Sequence, residues 1–218
     1  LYESEKNDFS DLLSFTIKQI KKYDFRLISH SRHQWIKPKN INENSWHYIT
    51  KNNDWIIKSF NSFLKTRKNS NSVLILFEYG PDFIESKKLC NQLNIESHVI
   101  WLPKTERKEI IEIIKLCSAG LTEFYNQETV WGSTALEFLS LGLPAIQGFT
   151  IDEKSFLKKT GYPVPPILKA KNQDDVYNNI ISLYDNKSFR EEISKKSLDW
   201  FKKYNGQVAA KKIVDLIL

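Results

Sequence analysis

The chain has 218 residues, of which 41% are hydrophobic and 27% are charged, and its formal net charge is +6 at pH 7. This length allows one sizeable buried core, and this composition excludes an intrinsically disordered chain. No apolar run approaches the roughly 20 residues that a membrane-spanning helix needs. The positive charge is spread over lysine-rich helix faces and modestly favours anionic partners such as nucleotides, nucleic acid or a membrane surface.

The ends of the sequence and its cysteines indicate the setting of the protein. The chain opens at Leu1 and contains no methionine, so we expect a fragment or one domain of a longer protein. Cys90 and Cys117 have no metal-ligand spacing and lie among apolar residues, which predicts reduced core thiols. Reduced thiols favour a cytoplasmic location.

Apolar runs of strand length alternate with helical patterns over most of the chain. Residues 1–24 contain an amphipathic stretch that predicts a helix packed on the rest of the protein. Five strands are predicted at Phe25–Ser29, Val73–Glu78, His98–Leu102, Ala119–Phe124 and Pro144–Gln147. Helical stripes between them contain Ile56, Phe60, Phe63 and Leu64, then Phe83, Cys90 and Leu93, then Ile110, Ile113, Ile114 and Cys117.

This alternation predicts an α/β fold, namely a Rossmann-like parallel sheet with helices on both faces. We expect residues 1–24 to be a helical segment or linker, 25–170 to be the Rossmann-like domain, and 171–218 to be carboxyl-terminal helices packed on the same domain. Ligands of such sheets lie beyond the carboxyl ends of the strands. The residues that follow each strand are therefore the functional candidates.

Two flanking regions carry their own predictions. The region from Asn40 to Asn53 is expected to be a long, polar, mobile loop. Near the carboxyl end, Ser188 and Glu191 have the spacing of a capping box that opens a helix. Trp200 and Tyr204 on that helix are expected to pack against a part of the protein outside this chain.

The segment from Trp131 to Ile146 is the most informative part of the sequence. Gly132, Ser133 and Thr134 stand where a short helix should begin, and Gly142 fits a left-handed stop after it. The free amides and dipole of such a helix end suit an anion, most often a phosphate. Glu137 should share a face with this end and could accept two hydroxyl hydrogen bonds from a sugar. The alternative is an ordinary capped helix with Glu137 in solvent.

Cations from earlier in the chain should rise at the same edge of the sheet. Arg32 and His33 follow the first strand, and Lys51 precedes the next long helix. An arginine fork and a lysine near a helix amino terminus suit a diphosphate. The alternative is that Arg32 and Lys51 are solvated loop cations. His30 and His33 are expected to be structural hydrogen bonders because the sequence identifies no acid–base partner for them.

These motifs, in their order, resemble a known family. Ser31-Arg-His-x-Trp35, Lys51-x-x-Asp54, Trp131-Gly-Ser-Thr-Ala-Leu-Glu137 and Gly142-x-Pro144 look like the carboxyl-terminal domain of retaining GT-B glycosyltransferases of the group 1 class. The resemblance covers roughly residues 25 to 215. It implies one half of a GT-B fold that binds a nucleotide-sugar donor, while a separate amino-terminal domain binds the acceptor.

The resemblance also implies residue roles. Arg32 and Lys51 would hold the donor diphosphate and neutralise the leaving nucleoside diphosphate. Glu137 would accept hydrogen bonds from the ribose hydroxyls. Gly132, Ser133 and Thr134 would lie against the distal phosphate, and the region near Lys104 would face the base. The implied activity is that of a hexosyltransferase in surface polysaccharide or lipopolysaccharide biosynthesis, inactive as an isolated domain.

Two departures from the family's pattern concern the donor sugar and the loop between the cations. The family usually places a first glutamate eight residues before the second, but Thr129 stands there. Either Glu128 moves into place, or Glu123 after the fourth strand takes the role, or the sugar is recognised differently. The insertion at residues 36–50 is longer than the family's usual spacing and is either a flap or a decoration.

The remaining expectations concern cofactors and partners. No Asp-x-Asp pattern follows a strand and no dinucleotide-binding fingerprint follows the first strand, so we expect neither a metal nor a nicotinamide cofactor. The partners would be a nucleotide-sugar donor, the amino-terminal acceptor domain, and a membrane surface or lipid-linked acceptor at its inner face. Nucleic acid is not expected, because most aromatic residues occupy core positions. A non-catalytic nucleotide-binding module of the same fold remains the alternative.

Overall fold

The computed structural model describes residues 13–124, 132–209 and 211. Its centre is one sheet of six parallel strands in the order β3-β2-β1-β4-β5-β6. The strands are β1 (Phe25–Ser29), β2 (Ser72–Phe77), β3 (Val99–Leu102), β4 (Ala119–Leu121), β5 (Ala145–Gln147) and β6 (Leu168–Lys169). The strand order reverses between β1 and β4, as in a Rossmann-like sheet, and confirms the predicted fold class.

Helices cover both faces of this sheet. They are α1 (described over residues 13–20), α2 (Glu43–Ile49), α3 (Asn53–Thr66), α4 (Phe83–Gln92), α5 (Arg107–Ile114), α6 (Ser133–Ser140), α7 (Glu153–Thr160), α8 (Gln173–Asp185) and α9 (Lys187–Tyr204). Among the described residues, no helix is long and apolar enough to cross a membrane.

One hydrophobic core forms on each face of the sheet because successive strand residues face opposite sides. In β1, Phe25 and Leu27 pack with α3, α4 and α8 on one side. Ile28 packs with α1, α5 and α6 on the other side. Every residue of β2 is buried, as expected for a central parallel strand. The alternation of the sequence therefore determines which helices share a face.

The helix that carries the candidate anion site forms as the sequence predicts. Gly132 is the N-cap residue of α6, and Ser133 is its first helical residue. After the helix, Gly142 has φ +67°, which is the predicted left-handed stop. Phe138 is fully buried and lies against Gly120 of β4, where a Cβ atom would be only 2.3 Å from the Phe138 ring. This close approach seats α6 directly on the sheet.

Four sequence-based predictions were incomplete or wrong. The strand β6 was not predicted, because two residues are too few to show a period. The region expected to be a mobile loop contains α2, whose N-cap Asn42 accepts a hydrogen bond from the Ser45 amide. The last long helix is capped by Asn186, which accepts from the Phe189 amide, and not by the Ser188 capping box. Trp200 is buried within this chain, and its indole N–H donates to the Pro163 carbonyl.

Two further predictions concern the thiols and the division of the chain. Cys90 and Cys117 are free, and burial raises the pKa of Cys90 to about 12 and that of Cys117 still further. The thiols therefore stay protonated and behave as small core residues. The boundaries at residues 24 and 170 remain predictions, and residues 1–12 lie outside the described part of the chain.

Candidate functional site

The candidate site lies where the strand order of the sheet reverses. β1 and β4 are adjacent, with Leu27 beside Ala119 and Ile28 beside Gly120. Residues 30–32 leave the carboxyl end of β1, and residues 122–124 leave the carboxyl end of β4. The chain continues from these two strands to opposite faces of the sheet, and such a reversal point is the usual ligand position in open parallel sheets.

Buried polar atoms without a hydrogen-bond partner are concentrated at this edge. Among the described residues, Ser29 Oγ and Ser31 Oγ at the end of β1 have no partner, and the same holds for Glu123 Oε2 after β4 and for both side-chain polar atoms of Gln147 at the end of β5. A buried polar group without a partner costs about 1–3 kcal/mol, so such atoms are rare unless a ligand or water serves them. The edge therefore has the donors and acceptors of a polar binding site.

The insertion between Arg32 and Lys51 is closed by hydrogen bonds that join its two ends. The Lys51 amide donates to the Gln34 carbonyl at 2.6 Å, and the Gln34 amide donates to Asn53 Oδ1 at 2.9 Å. Asn52 is left-handed with φ +47°, and its amide group donates to the Phe124 carbonyl after β4. These bonds return the chain to the β4 loop. The backbone that follows Arg32 and the backbone at Lys51 are therefore close in space despite the insertion.

Glu123 lies between Lys51 and the amino terminus of α6 and contacts both. Its Nζ atom lies 3.5 Å from Glu123 Oε1, and the two side chains are only 13% and 9% exposed. The Glu123 carboxylate lies against Gly132, where a Cβ atom would be 3.2 Å from Oε2. A cation, a carboxylate and a helix amino terminus therefore meet at one point. Sequence reasoning placed Lys51 and α6 at one edge but did not predict this ion pair.

Arg32 lies at the same edge with an exposed side chain. Its charge acts on the phenol of Tyr79, which follows β2 and donates its hydroxyl hydrogen to the His30 carbonyl. Burial raises the pKa of Tyr79, the charges of Glu123 and Glu137 raise it further, and Arg32 lowers it. The charges of Arg32, Glu123 and Glu137 therefore all act on one phenol at this edge of the sheet.

Glu137 forms an ion pair with Arg107 and also lies close to His30. Its Oε1 atom lies 2.8 Å from Arg107 Nη2, and its Oε2 atom lies 3.2 Å from His30 Nε2. Burial raises the pKa of Glu137, and the nearby Arg107 charge opposes that rise. Burial also lowers the pKa of His30 to about 4, so His30 is neutral at pH 7. Glu137 is only 13% exposed, which contradicts the alternative of a solvated acid.

Arg107 is the residue that sequence reasoning missed. It is the first residue of α5, and its side chain is 71% exposed. Helices α5 and α6 lie on the same face of the sheet, so their amino termini are neighbours. The sequence signal was a basic residue at the start of a helix after β3, but its partner lies thirty residues further along the chain.

His33 has a structural role. Its Nδ1 atom lies 2.8 Å from Ser86 Oγ, and its ring packs on Trp101 at 5.3 Å between centroids. Burial lowers the pKa of His33 to about 4, so it is neutral at pH 7. Gly80, with φ +105°, passes so close that a Cβ atom would be 2.4 Å from the His33 nitrogen. His33 is thus a structural hydrogen bonder, as the sequence predicts, and it fixes the loop that follows β1.

The other predicted residues are placed as follows. Ser133 is exposed and Thr134 is buried in the first turn of α6, so their amides stand beside Gly132 and Glu123. Lys104 is exposed, two residues after β3 ends. Glu128 lies outside the described residues. Across the described ranges, no group of three or more His, Cys, Asp or Glu side chains could hold a metal ion. The roles of these residues and the independence from metal remain predictions.

Comparison with known proteins identifies the family. The sequence profile described as "Glycosyl transferases group 1" matches residues 47–200. No curated protein sequence matches significantly. Among solved structures, the C-terminal domain of the group 1 family protein LpcC from Francisella tularensis is 15% identical, with a TM-score of 0.58 over 85% of this chain and 89% of that domain.

Two larger glycosyltransferases share the fold. The pneumococcal O-GlcNAc transferase GtfA, solved in complex with UDP and GlcNAc, is 18% identical, with a TM-score of 0.62 over 90% of this chain and 36% of GtfA. WaaG, a glycosyltransferase involved in lipopolysaccharide biosynthesis, is 14% identical, with a TM-score of 0.58 over 87% of this chain and 45% of WaaG. The chain spans less than half the length of both proteins. It belongs to the glycosyl transferases group 1 family and has the fold of the carboxyl-terminal half of a GT-B glycosyltransferase.

Proposed function

We propose that this chain is the donor-binding half of a glycosyltransferase that moves a hexose from a nucleoside diphosphate to an acceptor. The observation that carries the proposal is the convergence of Lys51, the amino terminus of α6 and Glu137 at the reversal point of the sheet. A helix amino terminus with a nearby ammonium group suits a diphosphate, and a carboxylate beside them suits a diol. Membership of the family supports the same assignment.

The proposed roles follow the geometry of the edge. Lys51 and Arg32 bind the diphosphate together with the amides of Ser133 and Thr134. Glu137 accepts hydrogen bonds from the ribose hydroxyls. The exposed Lys104 after β3 faces the base.

The donor sugar lies on the other side of the diphosphate, near the loop after β4. Glu123 or Glu128 contacts it there. Glu123 is only 7% exposed, and its Oε2 atom has no partner among the described residues. That oxygen can accept a hydroxyl hydrogen from the sugar.

The chemistry of the transfer is electrostatic. When the glycosidic bond to the nucleoside diphosphate breaks, negative charge develops on the distal phosphate. Fixed cations and helix amides stabilise that charge without reorganising. Removal of one such donor costs about 3–4 kcal/mol of barrier, or roughly 100- to 1,000-fold in rate. This arrangement gives Arg32 and Lys51 the task that a divalent ion has in other transferases.

The proposal is tested by nucleotide binding. A ligand at 100 times its dissociation constant stabilises a protein by about 2.7 kcal/mol, which raises the melting temperature by several degrees. We expect UDP or GDP to produce this rise and Lys51→Ala to abolish it. Lys58→Ala is the control, because Lys58 lies on α3 and pairs with Asp54 at 2.8 Å, away from α6. The proposal fails if no nucleoside diphosphate raises the melting temperature of the wild-type chain.

A second candidate function is a nucleotide-binding module without turnover. The ion pair between Lys51 and Glu123 favours it, since the carboxylate competes with a diphosphate for the ammonium group. The threonine at position 129, in place of the family's first glutamate, points the same way. Transfer or hydrolysis of a nucleotide sugar by the full-length protein separates the two functions, because a binding module leaves the donor intact.

The biological setting is part of the same proposal. WaaG acts in lipopolysaccharide biosynthesis, which supports an acceptor of surface polysaccharide or lipid-linked type for this chain. We place the protein in the cytoplasm, at the inner face of the membrane where such acceptors are built. The acceptor is held by an amino-terminal domain, so this chain alone binds donor but transfers no sugar. Donor binding without transfer by the chain, and transfer by the full-length protein, is the expected result.

A further inference from the structure

Glu137 is a partly buried acid with one charged partner among the described residues. Arg107 Nη2 lies 2.8 Å from its Oε1 atom. The other neighbour, His30, contacts Oε2 at 3.2 Å and is neutral at pH 7 because burial lowers its pKa to about 4. The phenol of Tyr79 also senses the Glu137 charge from the loop after β2. Arg107 is therefore the group that offsets the burial of this carboxylate.

The contact with Arg107 also determines where the carboxylate points. Each carboxylate oxygen offers two acceptor positions, so an oxygen bonded to a guanidinium can still accept one hydroxyl hydrogen. The ion pair with Arg107 on α5 restrains Oε1, while Oε2 lies 3.2 Å from His30 Nε2, which makes no hydrogen bond among the described residues. A carboxylate fixed in this way binds a diol without losing further side-chain entropy.

We infer that Arg107 is a positioning residue for nucleotide recognition, which keeps Glu137 ionised and oriented to accept hydrogen bonds from both ribose hydroxyls. The inference rests on the proposed function, since it requires a ribose at Glu137. It assigns to the amino terminus of α5 a contribution to selectivity for ribonucleotides over nucleotides that lack the 2′ and 3′ hydroxyls. Arg107 contributes through Glu137 and does not need to touch the sugar.

The test is a titration calorimetry comparison of UDP with 2′,3′-dideoxy-UDP at pH 8. In Arg107→Gln, we expect UDP to bind about tenfold more weakly, while the dideoxy analogue binds as it does to the wild-type chain. Arg107→Lys, which keeps a charge, should recover part of the loss. Lys108→Gln is the matched control, because Lys108 is also 71% exposed on α5 but pairs with Glu106. It should change UDP affinity less than twofold.

Two further measurements separate positioning from a general structural effect. In a Glu137→Gln background, Arg107→Gln should have no additional effect on UDP binding. The pH profile should also move: without Arg107 the pKa of Glu137 rises, so UDP affinity should be lost at higher pH than in the wild-type chain. In the wild-type chain His30 stays neutral between pH 5 and 8, because burial lowers its pKa to about 4. The Arg107 charge also lowers the pKa of His30, so the Glu137→Gln background is needed to separate the titration of His30 from that of Glu137.

Each outcome decides one question. If the wild-type chain binds no nucleoside diphosphate, the proposed function fails and takes this inference with it. If the wild-type chain binds UDP but Arg107→Gln binds it equally well or more tightly, only the role of Arg107 is refuted. An equal loss for UDP and its dideoxy analogue would also refute it, since Arg107 would then act on the phosphates or the base. The exposed position of Arg107 leaves the fold intact, and a melting curve verifies this.

Discussion

Replacement of Lys51 by alanine tests the ion pair at the amino terminus of α6. Lys51→Ala removes a cation 3.5 Å from Glu123, whose side chain is only 9% exposed. The carboxylate would then be buried against Gly132 without that partner. We expect a large loss of stability, because a stranded buried charge is more costly than the intact pair is favourable.

The size of the loss follows from the geometry. At 3.5 Å, and with an effective dielectric constant of about 20, the attraction between the two charges is about 4–5 kcal/mol. Measured losses on removing one partner of a buried pair are about 3–5 kcal/mol. We therefore expect Lys51→Ala to lower the free energy of unfolding by about 3–4 kcal/mol at pH 7.

The assay is urea unfolding of the wild-type chain, Lys51→Ala, a double variant and Lys58→Ala. The double variant Lys51→Met/Glu123→Gln removes both charges and should recover most of the stability lost in Lys51→Ala. Lys58→Ala is the control on the helix that follows Lys51, α3, because Lys58 is 41% exposed and its pair with Asp54 spans one helical turn. It should cost less than about 1 kcal/mol.

Two results would refute the reasoning. A loss below 1 kcal/mol in Lys51→Ala would mean that Glu123 does not depend on Lys51. A double variant no more stable than Lys51→Ala would mean that the loss came from packing of the lysine stem. Nucleotide binding should be lost in both variants, whatever their stability, since neither retains the ammonium group.

Three further predictions concern the scaffold of the site. Gly80→Ala should lower stability by about 2–4 kcal/mol in urea unfolding, because φ is +105° and the new Cβ atom would be 2.4 Å from the backbone nitrogen of His33. The control Gly161→Ala, where φ is +76° and the space is open, should cost only about 1 kcal/mol. Phe138→Ala should lower the melting temperature through a loss of about 3–5 kcal/mol, and a loss below 1 kcal/mol would contradict the fully buried position of this ring. Burial lowers the pKa values of His30 and His33 to about 4, so these histidines bind more protons in the unfolded chain than in the folded one. The free energy of unfolding should therefore fall by up to about 3 kcal/mol for each histidine as the pH drops from 6.5 to 4. His33→Asn should reduce that slope, and an unchanged slope would contradict the assignment.

Short-range patterns were sufficient for most of the fold. The apolar runs that became β1 and β2 are buried on both faces, so their hydrophobicity is continuous and easily identified. Gly132 and Gly142 mark the two ends of α6. Gly142 has φ +67°, which side chains disfavour, whereas Gly132 has an ordinary extended backbone. The two-residue β6 and the helix α2 escaped prediction, because one is too short and the other is polar and capped by asparagine.

The candidate site was predictable only in part. The sequence places Arg32, Lys51 and Glu137 at one sheet edge, because parallel strands bring all their carboxyl ends together. It does not show which acid contacts which cation. Lys51 pairs with Glu123, and Arg107 pairs with Glu137, although both acids stand far from their partners in the chain.

The sequence by itself determined the class of fold, the helix that forms the proposed phosphate site, and the family, since these depend on local periodicity and on motifs read in order. Only the tertiary structure decided the charge partners at the site. Strand order brings α5 beside α6, and the Gln34–Lys51 hydrogen bond closes the insertion so that Lys51 returns to the β4 loop. Contacts of this kind depend on distances of a few ångströms between remote segments, and only the packing of the elements sets such distances.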